Sequence, residues 1–345
     1  MKTKIYTGTL LVILMLFVVG CQKNFLDMTP EGAIPMNNFY KTDAQAEGAV
    51  MAGYDIFQSL NAAPFSSMWM LKTLLSDEVY TGGGGRGDQP PYEEINEFRF
   101  NSSNPVISWL FQFSYQGIYR VNLVIQNVAP DSPVKKVVIA EAKTLRALFY
   151  FDLVTLWGKV PLVIKPAASP ADYGQPRAAV SAIWAQIDKD LAEAIPVLPL
   201  KRQQTYPARV SKGFAQALLG KSLLYQKKYS EAAVQFQKVI DSHEYSLISD
   251  FSKRLRIEQE FGSESLFEIS YSNAKHYTWD TYLWDNNGRV GEESNIHWEL
   301  AGPNGEGGFF EGGSTGILGG WGFDYPDSSI YNAFRAAGDT IRRKA

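Results

Sequence analysis

The chain has 345 residues, with 33 Lys and Arg against 36 Asp and Glu, for a net charge of −3. No basic excess marks a nucleic-acid footprint, which needs clustered positive surface. The single cysteine excludes a disulfide within the chain, so oxidative stapling plays no part in the fold.

Residues 1–20 read as a targeting segment. Lys2 and Lys4 give a positive start, the run from Leu10 to Val19 is apolar without interruption, and Gly20-Cys21 closes it. A run of about ten residues is too short to cross a ~30 Å bilayer core as a helix. Val18-Val19-Gly20-Cys21 has the form of a lipobox, so Cys21 is expected to become a diacylglycerol thioether after cleavage just before it. Cleavage there removes two of the 33 basic residues, leaving 31 against 36 acidic ones, a net charge of −5. Residues 21–36 then form the lipid anchor and an extended tether.

Thr42-x-x-Gln45 has capping-box spacing, and Ala46, Ala49, Val50, Gly53, Tyr54 and Phe57 fall on one helical face, which predicts a helix from Thr42. A second helical stretch is expected around 65–75. The run from Tyr80 to Pro91, with Gly82 to Gly85 at its centre, reads as a loop with no regular element. A third helix is predicted over 106–127, ahead of the breaker Ala129-Pro130-Asp131-Ser132-Pro133. Residues 137–157 are apolar on nearly every face and predict a buried helix, stopped by Gly158 and Pro161. Ser181, Ser211 and Ser230 are read as caps of helices ending near Ile195, Gln226 and Asp241.

The pair 211–241 fits the tetratricopeptide pattern, with Leu219-Gly220 and Leu223 in one helix and Ala232, Phe236 and Val239 in the next. Residues 137–157 and 181–195 read as a degenerate unit of the same kind with a long insertion. Repeats of this kind bury their faces only against neighbours. The expected fold is therefore all-α in character: a tetratricopeptide-like α-superhelix over 37–270, followed by an irregular, loop-rich region over 271–345. At the end of the helical region, Glu264 to Tyr271 alternates like a short strand. Residues 275–330 are rich in Gly, Asn, Trp and Tyr, an irregular stretch of a length compact domains rarely carry without function.

Enzymatic signatures fail on context. Gly82-x-Gly84-x-x-Gly87 matches a dinucleotide fingerprint by letter, but Asp88-Gln89-Pro90-Pro91 follows where a helix should receive a pyrophosphate. Gly312-x-Ser314-x-Gly316 has the letters of a nucleophile elbow, yet the last histidine, His297, precedes it, in the wrong order for that triad. Glu292, Glu293 and Glu299 offer carboxylates for glycoside hydrolysis, but acidic loop residues are common. His243, His276 and His297 lack metal-ligand spacing, and His243 reads as a cap or surface residue. Neither a metal nor a cofactor is expected.

Several motifs together resemble one family. They are Phe25-Leu26-Asp27, Phe39-Tyr40, Ala52-Gly53-Tyr54, and the block Glu141-Ala142-Lys143-x-x-Arg146-Ala147-x-Phe149-Tyr150-Phe151-x-Leu153-x-x-x-Trp157-Gly158-x-Val160-Pro161-Leu162-Val163. Arg209-Val210-Ser211-Lys212-Gly213, Tyr245-x-Leu247, Glu264-Ser265-Leu266-Phe267-Glu268-Ile269 and Phe334 with Gly338-Asp339-x-x-Arg342-Arg343 follow in order. The set resembles the SusD/RagB family. That resemblance implies an outer-membrane lipoprotein facing the medium that captures oligosaccharides for a TonB-dependent SusC-like transporter, a binding protein and not an enzyme. Two alternatives are a peptide-binding RagB-like uptake protein and a tetratricopeptide-type envelope scaffold. The family pattern implies further helices after the Gly338-Asp339 segment, so the chain is expected to be C-terminally short. No acidic residue follows Cys21 directly, so placement on the outer leaflet rests on the resemblance.

Sugar rings stack their C–H faces on aromatic side chains while amides, carboxylates and guanidinium groups bond the hydroxyls. The aromatics placed to do this are Trp69 and Tyr80 beside the Gly-rich loop, then Tyr277, Trp279, Tyr282, Trp284, Trp298 and Trp321. Any one of them alone is more readily a core residue. As a group they are expected to supply part of a binding surface.

Overall fold

The computed structural model describes residues 39–62, 66–254, 256–271, 300–304 and 320–344. Helix α1 (Asp43–Ala62) opens at the expected capping box. The Gln45 N–H donates to Thr42 Oγ1 at 3.2 Å and the Thr42 N–H donates to Gln45 Oε1 at 3.0 Å. α2 (Met68–Leu74) is capped by the Ser67 hydroxyl, and strand β1 (Val79–Gly82) and the short α3 (Pro90–Asn96) follow. α4 (Pro105–Asn127) starts where the Asn104 side chain accepts from the Val106 and Ile107 N–H groups. α5 (Pro133–Trp157) is capped by Ser132 and stopped by Gly158 at φ 70°. Then come α6 (Val180–Ala194), α7 (Lys212–Tyr225), α8 (Tyr229–Asp241), strand β2 (Phe323–Pro326), α9 (Ser328–Ala336) and α10 (Thr340–Lys344).

From α4 to α8 each helix packs on the next in sequence, and α1 lies against both α4 and α5. This is the expected helix-dominated, tetratricopeptide-like stack. α5 runs through its middle, with Val138, Ala142, Leu145, Phe149, Tyr150 and Leu153 all essentially inaccessible. Small residues set the closest approaches. A Cβ on Gly53 would come within 2.6 Å of Val121 on α4, and one on Gly220 of α7 within 2.7 Å of the Phe236 ring on α8. Leu219, Leu223 and Ala232 are buried in the α7–α8 unit, as the repeat pattern requires.

Buried polar side chains fix how the stack is assembled. Arg146 of α5 donates to both carboxylate oxygens of Asp190 on α6, at 2.8 and 2.7 Å, and to Asn122 Oδ1 of α4 at 2.8 Å. The Tyr150 hydroxyl accepts from the Val163 N–H at 2.6 Å, and Tyr115 donates to the Pro161 carbonyl at 2.6 Å. The extended segment after Gly158 is thereby pinned across α4 and α5. These contacts explain the densest motif of the sequence: Arg146, Tyr150, Gly158 and Pro161 build scaffold.

Four expectations need correction. Ser181 does not cap α6; the helix begins at Val180 behind Ala179. There Ala178 N–H donates to the Val160 carbonyl at 2.9 Å, so a tertiary contact sets the entry. Ser230 lies inside α8, which begins at Tyr229. The turn before it is closed from the α7 side, with Lys227 at φ 63° and the Lys228 N–H donating to the Leu223 carbonyl at 2.9 Å. Residues 264–271 form no strand. Phe267 and Ile269 do face the core, but the segment crosses α1, where Gln58 Nε2 donates to the Ser270 carbonyl in place of a ladder partner. Finally, the Gly-rich loop is bounded by regular structure, β1 at its start and α3 from Pro90 onward.

Candidate functional site

β1 and β2 form an antiparallel two-stranded ribbon in which Tyr80 lies opposite Tyr325 and Gly82 opposite Phe323. Residues directly opposite in an antiparallel pair share a face. Tyr80 and Tyr325 therefore stand side by side, 57% and 59% exposed. Next along β2, the buried Phe323 ring meets Tyr92 of α3 edge to face at 6.4 Å, and Thr81 on the opposite face is buried as well. The ribbon is thus a rigid aromatic surface anchored in the core.

Neighbouring carboxylates hold it in place. Asp327 caps α9 by accepting from the Ser329 N–H at 2.7 Å, and its own N–H donates to the Glu78 carbonyl at 2.7 Å. Hydrogen bonds from Ser329 and from the Tyr80 hydroxyl keep the Asp327 carboxyl below the usual carboxylate range, and the same contact raises the Tyr80 phenol. Asp324 reaches Thr73 on α2; burial pushes its pKa up, and the Thr73 hydroxyl offsets part of that rise. Trp69 lies four residues before Thr73, hence on the α2 face that meets β2, and is 37% exposed. Trp321, just before β2, is half-buried against the core.

The Gly-rich loop is not a phosphate cradle. The Gly83 N–H donates to the Gly322 carbonyl at 2.9 Å, the Gly84 N–H to Asp88 Oδ2 at 2.8 Å, and the Gly87 N–H to Glu93 Oε1. These three donors are already engaged, two of them by carboxylates that repel an anion. β1 also pairs antiparallel with β2, without the parallel crossover that a dinucleotide fold requires. The positive φ angles of Gly82 and Gly83, 71° and 80°, serve the turn out of the ribbon.

A separate cleft of about 690 Å³ runs along α1, lined by Met51, Arg120, Tyr206, Arg209 and Phe267 among others. At its wall Arg209 contacts Glu141 at 2.8 Å and Glu47 at 3.2 Å. Burial pushes the Glu141 carboxyl up to about 7, with Arg209 and the Tyr54 hydroxyl offsetting part of the shift. The arrangement joins α1, α5 and the entry to α7.

Of the aromatics singled out in the sequence, Tyr80 lies on the ribbon, Trp69 on α2, the helix that packs against both its strands, and Trp321 just before β2, half-buried against the core. Tyr277, Trp279, Tyr282, Trp284 and Trp298 lie outside the described residues, as do Cys21, Glu292, Glu293, Glu299, His276 and His297. His243 follows the end of α8 at φ 53°, a capping position. Tyr325 is the residue that sequence reasoning missed. Its signal was the alternation Phe323-x-Tyr325 ahead of the Asp327 cap. Among the described residues no group of three or more His, Cys, Asp or Glu is placed to hold a metal ion.

Comparison with known proteins follows the scaffold. A SusD-like family model, described as starch-binding associating with outer membrane, matches residues 92–224, from α3 to α7. SusD-like protein P2 of Formosa agariphila is 27% identical over 268 residues, 75% of this chain and 52% of that protein. The chain spans about half the length of the curated relatives it matches. A solved laminarin binding SusD-like protein has a TM-score of 0.75 at 29% identity, over 86% of this chain and 65% of that one. Surface glycan-binding protein A from Bacteroides thetaiotaomicron, in complex with laminarihexaose, shares the fold with a TM-score of 0.70 at 21% identity, over 85% of this chain and 61% of that one. The helices matched in these proteins are those pinned through Arg146, Tyr150 and Gly158, and over them the chain is similar to SusD-like proteins in both sequence and fold.

Proposed function

We propose that this protein captures neutral oligosaccharides at the cell surface, holding them on the Tyr80–Tyr325 ribbon and passing them to a TonB-dependent SusC-like transporter. The observation that carries this reading is the exposed pair of tyrosines, presented side by side on a ribbon whose other face is locked into the core. Two exposed rings, one of them bonded to the Asp327 carboxylate, suit the mixed C–H and hydroxyl surface of a sugar chain. The glycan named for a structurally similar protein, laminarin, makes a β-glucan the first ligand to try. The similarity to SusD-like proteins supports the transporter partner and the outer-membrane location. The lipobox-like end of the targeting segment supports an anchor at Cys21. The function is binding without turnover, so an oligosaccharide incubated with the protein should keep its length.

Affinity electrophoresis and calorimetry with laminarin, and with starch for contrast, test the reading. Tyr80→Ala and Tyr325→Ala should each weaken binding at least tenfold while leaving the thermal unfolding curve in place. Unchanged affinity in both variants would remove the ribbon from the site. A Cys21→Ser variant should lose lipid labelling and leave the membrane fraction; retention there would refute the anchor.

A further inference from the structure

A second cavity lies on the far side of α2 from the ribbon. It has a volume of about 510 Å³ and is walled by the end of α2, residues 100–102, the first turns of α4 and the last turn of α5. Successive helical residues are ~100° apart, so Leu71 and Leu75 face away from the Trp69–Thr73 side that meets β2. The two surfaces therefore sit back to back across one helix.

Its corner is preformed. Phe111 of α4 and Trp157 of α5 meet edge to face, with ring centroids 5.7 Å apart and planes at 64°. Phe111 also leans on Tyr115 at 5.0 Å, and Tyr115 is itself tied to the Pro161 carbonyl. Along the rim, Ser108 and Gln112 are one turn apart on α4 and share a face. Ser108 donates to the Ser102 carbonyl at 3.2 Å, and Asn101 accepts from the Ser103 N–H at 2.8 Å, which fixes the loop. The Gln112 amide and the Trp157 indole N–H make no hydrogen bond among the described residues.

Among the described residues the lining carries no charge, which selects the ligand class. A charged ligand would be desolvated there without a counter-charge. A purely apolar one would bury the Gln112 amide and the Asn101 NH2 group without partners, at ~1–3 kcal/mol for each group left unsatisfied. A neutral polyol with an apolar face satisfies both the aromatic corner and the amide rim, and the volume lies within the ~300–1,000 Å³ usual for ligand pockets.

We infer that this cavity is a second sugar-binding site, which takes a neutral pyranose residue against Phe111 and Trp157 with Gln112 and Asn101 on its hydroxyls. The ligand class rests on the glycan reading above; the position of the site does not. Isothermal titration of the full chain with laminarihexaose and maltohexaose, in parallel on wild type, Tyr80→Ala and a Phe100→Ala/Gln112→Leu double variant, separates the two. Phe100 and Gln112 are surface-accessible, so the double variant should keep the wild-type melting curve. Wild type should bind at two sites, and the double variant should lose one of them, at least tenfold in affinity, while keeping the site that Tyr80→Ala removes. If the double variant binds like wild type and Tyr80→Ala abolishes all binding, the second site is refuted and the ribbon reading stands. If only the double variant loses binding, the ribbon reading falls and the cavity stands. No heat from either sugar with wild type refutes both.

Discussion

Gly48 in α1 and Gly117 in α4 are both interior helical glycines, and replacing either with alanine adds one methyl group to a helix. The intrinsic gain is the same at both sites, roughly 0.5–1 kcal/mol, because alanine restricts the unfolded chain and favours helix. The surroundings differ. At Gly48 an added Cβ meets nothing within 4 Å. At Gly117 it falls 2.6 and 2.7 Å from Cε1 and Cε2 of Phe149 and touches Cζ as well. Phe149 is 1% exposed and packs edge to face on Phe57 at 5.9 Å, so its ring has nowhere to withdraw. Restoring carbon–carbon contact near ~3.5 Å requires a shift of almost 1 Å between α4 and α5. Overpacking of this kind costs about 1–3 kcal/mol. Net of the intrinsic gain, Gly117→Ala should destabilise by about 1–2 kcal/mol and Gly48→Ala should stabilise by about 0.5–1 kcal/mol. Equilibrium urea unfolding followed by tryptophan fluorescence reads both as midpoint shifts at constant slope. Phe149→Leu in the Gly117→Ala background should recover part of the loss, since the two sites share one contact. Equal shifts of the same sign in the two alanine variants would refute the close approach of α4 to α5.

Two further predictions follow from the buried polar groups. Arg146→Ala leaves Asp190, 1% exposed, without its partner, and should cost about 3–5 kcal/mol, seen as a large fall in Tm by calorimetry. Glu141 is held at about 7 in the folded protein against an ordinary 4.5. A raised folded value means that its contribution is complete below about pH 4.5 and is lost as pH rises through about 7. Glu141→Gln should therefore gain on wild type between pH 5 and pH 8 in chemical denaturation. A difference between the two that stays constant over that range would show Glu141 to be ionised throughout.

Much of the scaffold was legible because its signals are local. The Thr42–Gln45 box, the Ser211 cap, the apolar surround of α5 and the Gly158 stop each depend on residues within one or two helical turns. Such a signal survives whatever the rest of the chain does. The misreadings have the opposite character. Ser181 and Ser230 have good capping chemistry, yet α6 and α8 start earlier because the Ala178–Val160 contact and the Lys228–Leu223 bond fix the chain first. Glu264 to Tyr271 alternates as a strand should, but alternation chooses a buried face and cannot supply a neighbouring strand.

The functional surface divides in the same way. The helical stack, its close-packed glycines and the aromatic supply for a binding surface are already written in the order of residues. That Tyr80 is exposed, Trp321 half-buried, and Tyr325 opposite Tyr80 across an antiparallel ribbon emerges with the folded chain. The fold also decides that Phe111 and Trp157 form an uncharged corner behind α2. A side chain's identity and its local period fix which face of an element it occupies. What that face meets depends on contacts closed between residues far apart in the chain, and no short-range pattern encodes them.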